Sequence, residues 1–141
     1  NQYTKSGSAP IKAAGRGETT IGIVFMHDAV KQADAGFPVK VVAPAEGTGY
    51  EIGSMSIIDG ARNMDEAKIF YDWALSADAQ NLALQVNAFQ VPSNMGAQTS
   101  DSAPDMSSIK LIDYDFKTYG SSATRKRLLK KWDDEVSVLP Q

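Results

Sequence analysis

Two short apolar runs rich in β-branched residues interrupt an otherwise mixed pattern: Ile21-Gly22-Ile23-Val24-Phe25 and Val39-Lys40-Val41-Val42-Ala43. Each is closed by Gly or Pro and is too short for a helical stripe, so each predicts a buried strand. Between them, residues 28–35 read as a helix that stops at Gly36. Upstream, Ser8 as N-cap and Pro10 in the first turn predict a short helix over 11–14, ended by Gly15 and Gly17. The resulting order, α-β-α-β, predicts a parallel sheet with helical crossovers and hence an α/β fold.

Beyond Tyr50 the texture changes. Residues 52–58 alternate apolar with small polar side chains, as a half-exposed strand does. Asn63-Met64-Asp65-Glu66 resembles a capping box and predicts a helix with Ala67, Phe70, Trp73 and Ala74 on its core face. Ser76 predicts the cap of the next helix, striped by Ala79, Leu82, Ala83 and Val86. Residues 90–105, rich in Ser, Asn, Gly, Pro and Asp, read as loop. A last helix over 122–136 carries Leu128, Leu129, Trp132 and Val136.

Composition narrows the chemistry. The 141 residues fit one domain burying on the order of 68% of its unfolded surface. A net charge of −3 gives no electrostatic footprint for nucleic acid. Arg125, Lys126, Arg127, Lys130 and Lys131 form a basic run, but Asp133, Asp134 and Glu135 follow at once and cancel its field. No apolar stretch reaches the roughly 20 residues of a membrane span, so membrane insertion is not expected. The absence of cysteine removes disulfides and thiolate chemistry. The chain opens on Asn1 rather than Met, which predicts either a removed leader or a piece of something longer.

The candidate chemistry sits at the strand tips. In open α/β sheets, ligands lie beyond the carboxyl ends of strands. The first run delivers His27 and Asp28, and the second leads through Pro44 to Thr48, Tyr50 and Glu51. Convergence of the two tips would make them one wall of a cleft. Carboxylates accept two hydroxyl protons and imidazole donates or accepts, which suits a polyhydroxyl solute. Asp28 also fits a helix N-cap. Ser6, Gly7 and Ser8 precede a helix start and suit either an ordinary cap or an anion contact. A single histidine without cysteine does not build a zinc site, and no Gly-x-Ser-x-Gly elbow accompanies it, which sets a hydrolase aside.

Taken in order, these segments resemble the C-terminal part of a periplasmic solute-binding protein of a bacterial ABC importer, in the type II, ferric-iron-binding-like family. The resemblance is carried by Gly17-Glu18 before the first run, His27-Asp28 after it, and Glu46-Gly47-Thr48-Gly49-Tyr50-Glu51 after Pro44. It continues through Asn63 with Ala67-Lys68-Ile69-Phe70-Tyr71-Asp72-Trp73 and Ala79-Gln80. It implies that residues 1–51 are the closing half of a second α/β lobe, 52–60 a hinge crossover, and 61–141 helices returning to the first lobe. The rest of the first lobe would come from a missing N-terminal part or a second copy. Iron-binding members place adjacent tyrosines where this chain has Met26-His27-Asp28. The resemblance therefore points to the sugar-phosphate branch, with His27, Asp28 and Glu51 on sugar hydroxyls and no metal or cofactor. The implied role is a non-enzymatic receptor that closes on its solute in the periplasm and passes it to an ABC permease. A ferric-iron receptor using Tyr50, His27 and Glu51, and a sensory domain on the same fold, are the alternatives.

Overall fold

The structure, a computed structural model, describes residues 3–139. Helix α1 (Ala9–Gly15) starts after Ser8, which occupies the N-cap position without a side-chain capping bond, and has Pro10 in its first turn. Helix α2 (Met26–Asp34) starts two residues earlier than expected. Asp28 is therefore not its N-cap, a role taken by Phe25, but an acid in the first turn, where it complements the helix dipole. The two helices pack on each other and bury Ile11 and Ala29, each 6% exposed.

Both helices end in the same way. Past α1, Gly17 (φ 75°) donates to Ala14 O and Glu18 to Ala13 O; past α2, Gly36 (φ 85°) donates to Ala33 O and Phe37 to Gln32 O. These paired bonds form the Schellman arrangement, and the left-handed residue they require is glycine in both cases. A bidentate pair, Arg16 Nε to Glu18 Oε1 at 2.6 Å and Nη2 to Oε2 at 2.9 Å, fastens the exit of α1. The Arg16 guanidinium holds the Glu18 carboxyl below its ordinary value.

Helices α3 (Met64–Ala74) and α4 (Ala77–Gln85) form the next packed pair. Asn63 makes no side-chain capping bond, so the capping box expected there does not form. Ser76 does cap α4, accepting from Ala79 N at 3.2 Å. The loop after α4 is pinned to it: Gln80 bonds Ser93 and the Asn94 N–H, Asn94 Nδ2 donates to Leu75 O at 2.8 Å, and Asn81 accepts from Gln98 N at 2.7 Å. Phe89 is buried in this half. Short helix α5 (Phe116–Tyr119) leads to α6 (Ser122–Lys131), which continues as a π-helical turn over Trp132–Val136. Lys130 pairs with Asp134 at 2.6 Å, joining the basic run to its acidic neighbours.

The expected sheet does not form among the described residues. Residues 21–25, 39–43 and 52–58 carry no ladder hydrogen bonds, and the one bridge is a parallel contact between Thr48 and Leu111. The first two runs still show the alternation of strands. Gly22 and Val24 turn inward while Ile21 and Ile23 are 79% and 90% exposed; Val41 is half-buried and Val42 exposed. A strand is made by its neighbours, since its backbone groups pair only across chains of the sheet. Among the described residues, nothing covers the second face of these runs.

The same lack of cover runs through the molecule. Phe70 and Trp73, expected in a core, are exposed and touch each other at 5.5 Å, while Met64, Ala67, Tyr71 and Ala74 take the inward face. The chain presents 11223 Å² to water, against about 7,100 Å² for a compact monomer of its 15.2 kDa mass. It thus buries about half of its unfolded surface rather than the two-thirds expected from length.

Candidate functional site

Helix α2 carries His27 and Asp28 in its first turn, so both side chains stand at the carboxyl end of the run 21–25. His27 Nε2 lies 3.9 Å from Asp28 Oδ1, and both side chains are half-buried. The imidazole stacks on the Phe25 ring at 5.5 Å and an interplanar angle of 15°. This stacking fixes the ring plane and leaves its edge nitrogens to find polar partners. An adjacent imidazole and carboxylate held this way offer one donor-acceptor edge and one pure acceptor to a hydroxylated ligand.

Ser6, Gly7 and Ser8 precede α1. Ser6 Oγ and Ser8 Oγ stand 3.5 Å apart, and Thr4 Oγ1 donates to Ser6 O at 2.8 Å. Helix α1 and the run 21–25 meet at Gly22, where an added Cβ would stand 2.7 Å from Pro10 O. This close approach brings the first turn of α1 against the run that feeds His27.

The second tip has a different setting. After the turn closed by Gly47 N to Pro44 O at 3.1 Å, Thr48 pairs with the segment around Leu111. Its N–H donates to Lys110 O at 2.9 Å and its carbonyl accepts from Ile112 N at 3.0 Å, so its backbone is fully engaged. The Thr48 hydroxyl turns to Gly49 O at 3.3 Å. Tyr50 meets Phe116 edge-on at 5.9 Å, and Tyr114 contacts both Phe116 and Tyr119. Glu51 is exposed next to this aromatic group.

Among the described residues, no hydrogen bond, ion pair or ring contact joins His27 or Asp28 to Thr48, Tyr50 or Glu51. One open surface depression is lined by Val30, Ala33, Asp34, Val41 and Ser102, another by parts of residues 91–107, and neither includes these side chains. The aromatic group and residues 110–112 are the part that sequence reasoning missed. Its signal was the spacing Tyr114-x-Phe116-x-x-Tyr119 around Asp115, which puts Phe116 and Tyr119 on the single turn of α5 and Tyr114 just before its cap.

Three comparisons bear on this arrangement. No protein-family profile matches the chain. The periplasmic binding protein AfuA of Actinobacillus pleuropneumoniae, solved with exogenous fructose 6-phosphate bound, superposes with a TM-score of 0.89 at 50% identity, over 98% of this chain and 44% of AfuA. The chain has the fold of part of a periplasmic binding protein. A second one, P5PA, superposes with a TM-score of 0.84 at 40% identity, over 96% of this chain and 43% of P5PA. An uncharacterized protein of Haemophilus influenzae is 48% identical over 139 residues, 98% of this chain and 40% of that protein. The chain thus spans less than half the length of these relatives. A stretch of periplasmic-binding-protein fold taken without the remainder accounts for helices that form and apolar runs that stay uncovered.

Proposed function

We propose that this chain contributes the second-lobe and hinge portion of a periplasmic receptor that binds a hexose phosphate and delivers it to an ABC permease. The observation that carries the reading is 50% identity, across 98% of the chain, to a binding protein solved with fructose 6-phosphate. His27 and Asp28 fit the role because they stand together at the carboxyl end of the run 21–25, half-buried, with the imidazole plane fixed by Phe25. Glu51 would add a carboxylate from the second tip, and Ser6, Gly7 and Ser8 a set of small donors near α1. Thr48 and Tyr50 would frame the site.

In this reading the fold is α/β. The runs 21–25 and 39–43 become strands once sheet neighbours from the rest of the receptor pair with them, residues 52–60 cross the hinge, and 61–141 return to the first lobe. The excess surface supports this: about 4,000 Å² beyond a compact monomer is several times the roughly 800 Å² that one partner gives to a standard interface. Such an area belongs to the interior of a larger fold. Binding proceeds by closure of two lobes around the solute, and no bond in the solute is made or broken. On closure, the wall opposite His27 and Glu51 would come from the other lobe.

The test is calorimetric titration of the full-length protein containing these residues with fructose 6-phosphate and with unphosphorylated fructose. Binding of the phosphate ester, weakened by His27→Ala and by Glu51→Ala, is the expected result. Loss of one hydrogen-bond partner to a buried hydroxyl costs about 1–3 kcal/mol, so each variant should bind roughly 5- to 150-fold more weakly. No affinity for sugar phosphates, or variants as tight as wild type, would overturn the reading.

A further inference from the structure

The second tip does not stand alone. Lys110 and Ile112 hold both backbone groups of Thr48, and the Gly47 Cα lies so close to this segment that an added Cβ would stand 3.3 Å from Ile112 Cγ2. A few residues further on, the Tyr50 ring meets Phe116, whose other neighbour is Tyr114, itself stacked on Tyr119 at 5.3 Å. Phe116 opens α5, a single helical turn whose N-cap Asp115 accepts from Thr118 N at 2.9 Å. Two backbone bonds and an aromatic edge therefore bracket Thr48 and Tyr50 from the same stretch of chain, some sixty residues away in sequence.

We propose that Phe116 is a positioning residue: seated against Tyr50 and fixed by the turn Phe116–Tyr119, it sets the backbone geometry of the tip that presents Glu51. The proposal rests on the receptor reading for its consequence, but its structural content is independent of any ligand. Glu51 follows Tyr50 directly and is exposed, so nothing in its own side-chain contacts orients it. Its direction is inherited from the backbone on either side, and on the N-terminal side that backbone is held by 110–116. The same link makes the segment 110–119 responsive to the tip: solute contacts at Glu51 would be felt at α5 through one ring pair.

The experiment has two readouts, both on the full-length protein. Amide hydrogen exchange at Thr48, whose N–H is bonded to Lys110 O, reports the tip in the absence of solute. Titration with fructose 6-phosphate reports its consequence. Phe116→Ala should speed exchange at Thr48 and weaken binding by about three- to ten-fold, the range expected of one aromatic pair. Phe116→Tyr, which keeps the ring, should restore both, and Tyr50→Ala combined with Phe116→Ala should weaken binding no more than Tyr50→Ala alone. Unchanged exchange at Thr48 in Phe116→Ala overturns the proposal, as does a loss that Phe116→Tyr fails to restore. Should wild type bind no sugar phosphate, the receptor reading fails, while the exchange measurement still decides the positioning role.

Discussion

Gly22 lies against the Pro10 carbonyl so closely that any side chain would enter it: an added Cβ stands 2.7 Å from Pro10 O and 2.9 Å from Pro10 C. The neighbour is helix backbone, which does not rotate away as a side chain does. This contact sets the distance between α1 and the run 21–25, and hence where that run delivers His27.

Gly22→Ala should therefore destabilise the protein by about 1–3 kcal/mol, the usual cost of overpacking. Without the contact, the loss of unfolded-chain entropy would stabilise the variant by about 0.4–1 kcal/mol, so the sign alone discriminates. Urea unfolding midpoints of wild type and variant give the answer.

Ser76 caps α4 with a 3.2 Å bond from Ala79 N. Ser76→Ala should cost about 1 kcal/mol and Ser76→Gly only a few tenths. Equal losses in thermal unfolding would show that the hydroxyl is not the acting group.

Helix α4 ends like α1 and α2, with Asn87 N to Leu84 O and Ala88 N to Ala83 O, but with asparagine at φ 52° where the others have glycine. Asn87→Gly relieves the left-handed strain and should stabilise by up to about 1 kcal/mol. A fall in melting temperature would instead point to a role for the Asn87 side chain.

Asp115 at the start of α5 and Asp105 at the start of the 3-10 turn Met106–Ser108 each accept bonds that hold their carboxyls below their ordinary values: Thr118 acts on Asp115 and Ser107 on Asp105. A depressed carboxylate contributes stability that is complete above its unfolded value and lost as pH falls through the lower folded one. These groups should therefore leave stability flat between about pH 5 and 8 and weaken it only below about pH 4. Asp115→Asn keeps an acceptor oxygen and should flatten the acid limb. Melting curves from about pH 2 to 7 test this, and an Asp115 contribution lost above pH 5 would contradict it.

The 141-residue chain by itself should unfold with a urea slope below that of an ordinary domain of its length, because the slope follows the surface exposed on unfolding. It should also bind a hydrophobic dye through Ile21, Ile23, Val42, Ile52 and Ile58. A steep, cooperative transition without dye binding would mean that these runs find cover within the chain.

Much of the local structure was legible in advance. Gly17 and Gly36 end helices because only a residue free of Cβ enters the left-handed turn without strain, and that requirement can be read residue by residue. Ser76 is a cap for an equally local reason. The Asn63 motif had the right letters, but its side chain makes no bond, since a capping box also needs an entry angle that sequence does not specify. At the candidate site, the pairing of His27 with Asp28 was legible because the residues are neighbours in the chain at the end of the run 21–25. The seating of Thr48 and Tyr50 against residues 110–116 was not, because it joins positions some sixty residues apart.

What the sequence by itself determined is helices α1 to α4 and α6 and the glycine ends of α1 and α2. Each of these follows from interactions within a few residues. Whether those runs become sheet, whether Phe70 and Trp73 are core, and how the Glu51 tip is held were decided only in three dimensions. A strand's hydrogen bonds and a ring's burial depend on neighbours that arrive from elsewhere. In this chain Thr48 and Tyr50 have theirs, whereas Ile21, Ile23 and Val42 turn their side chains to water.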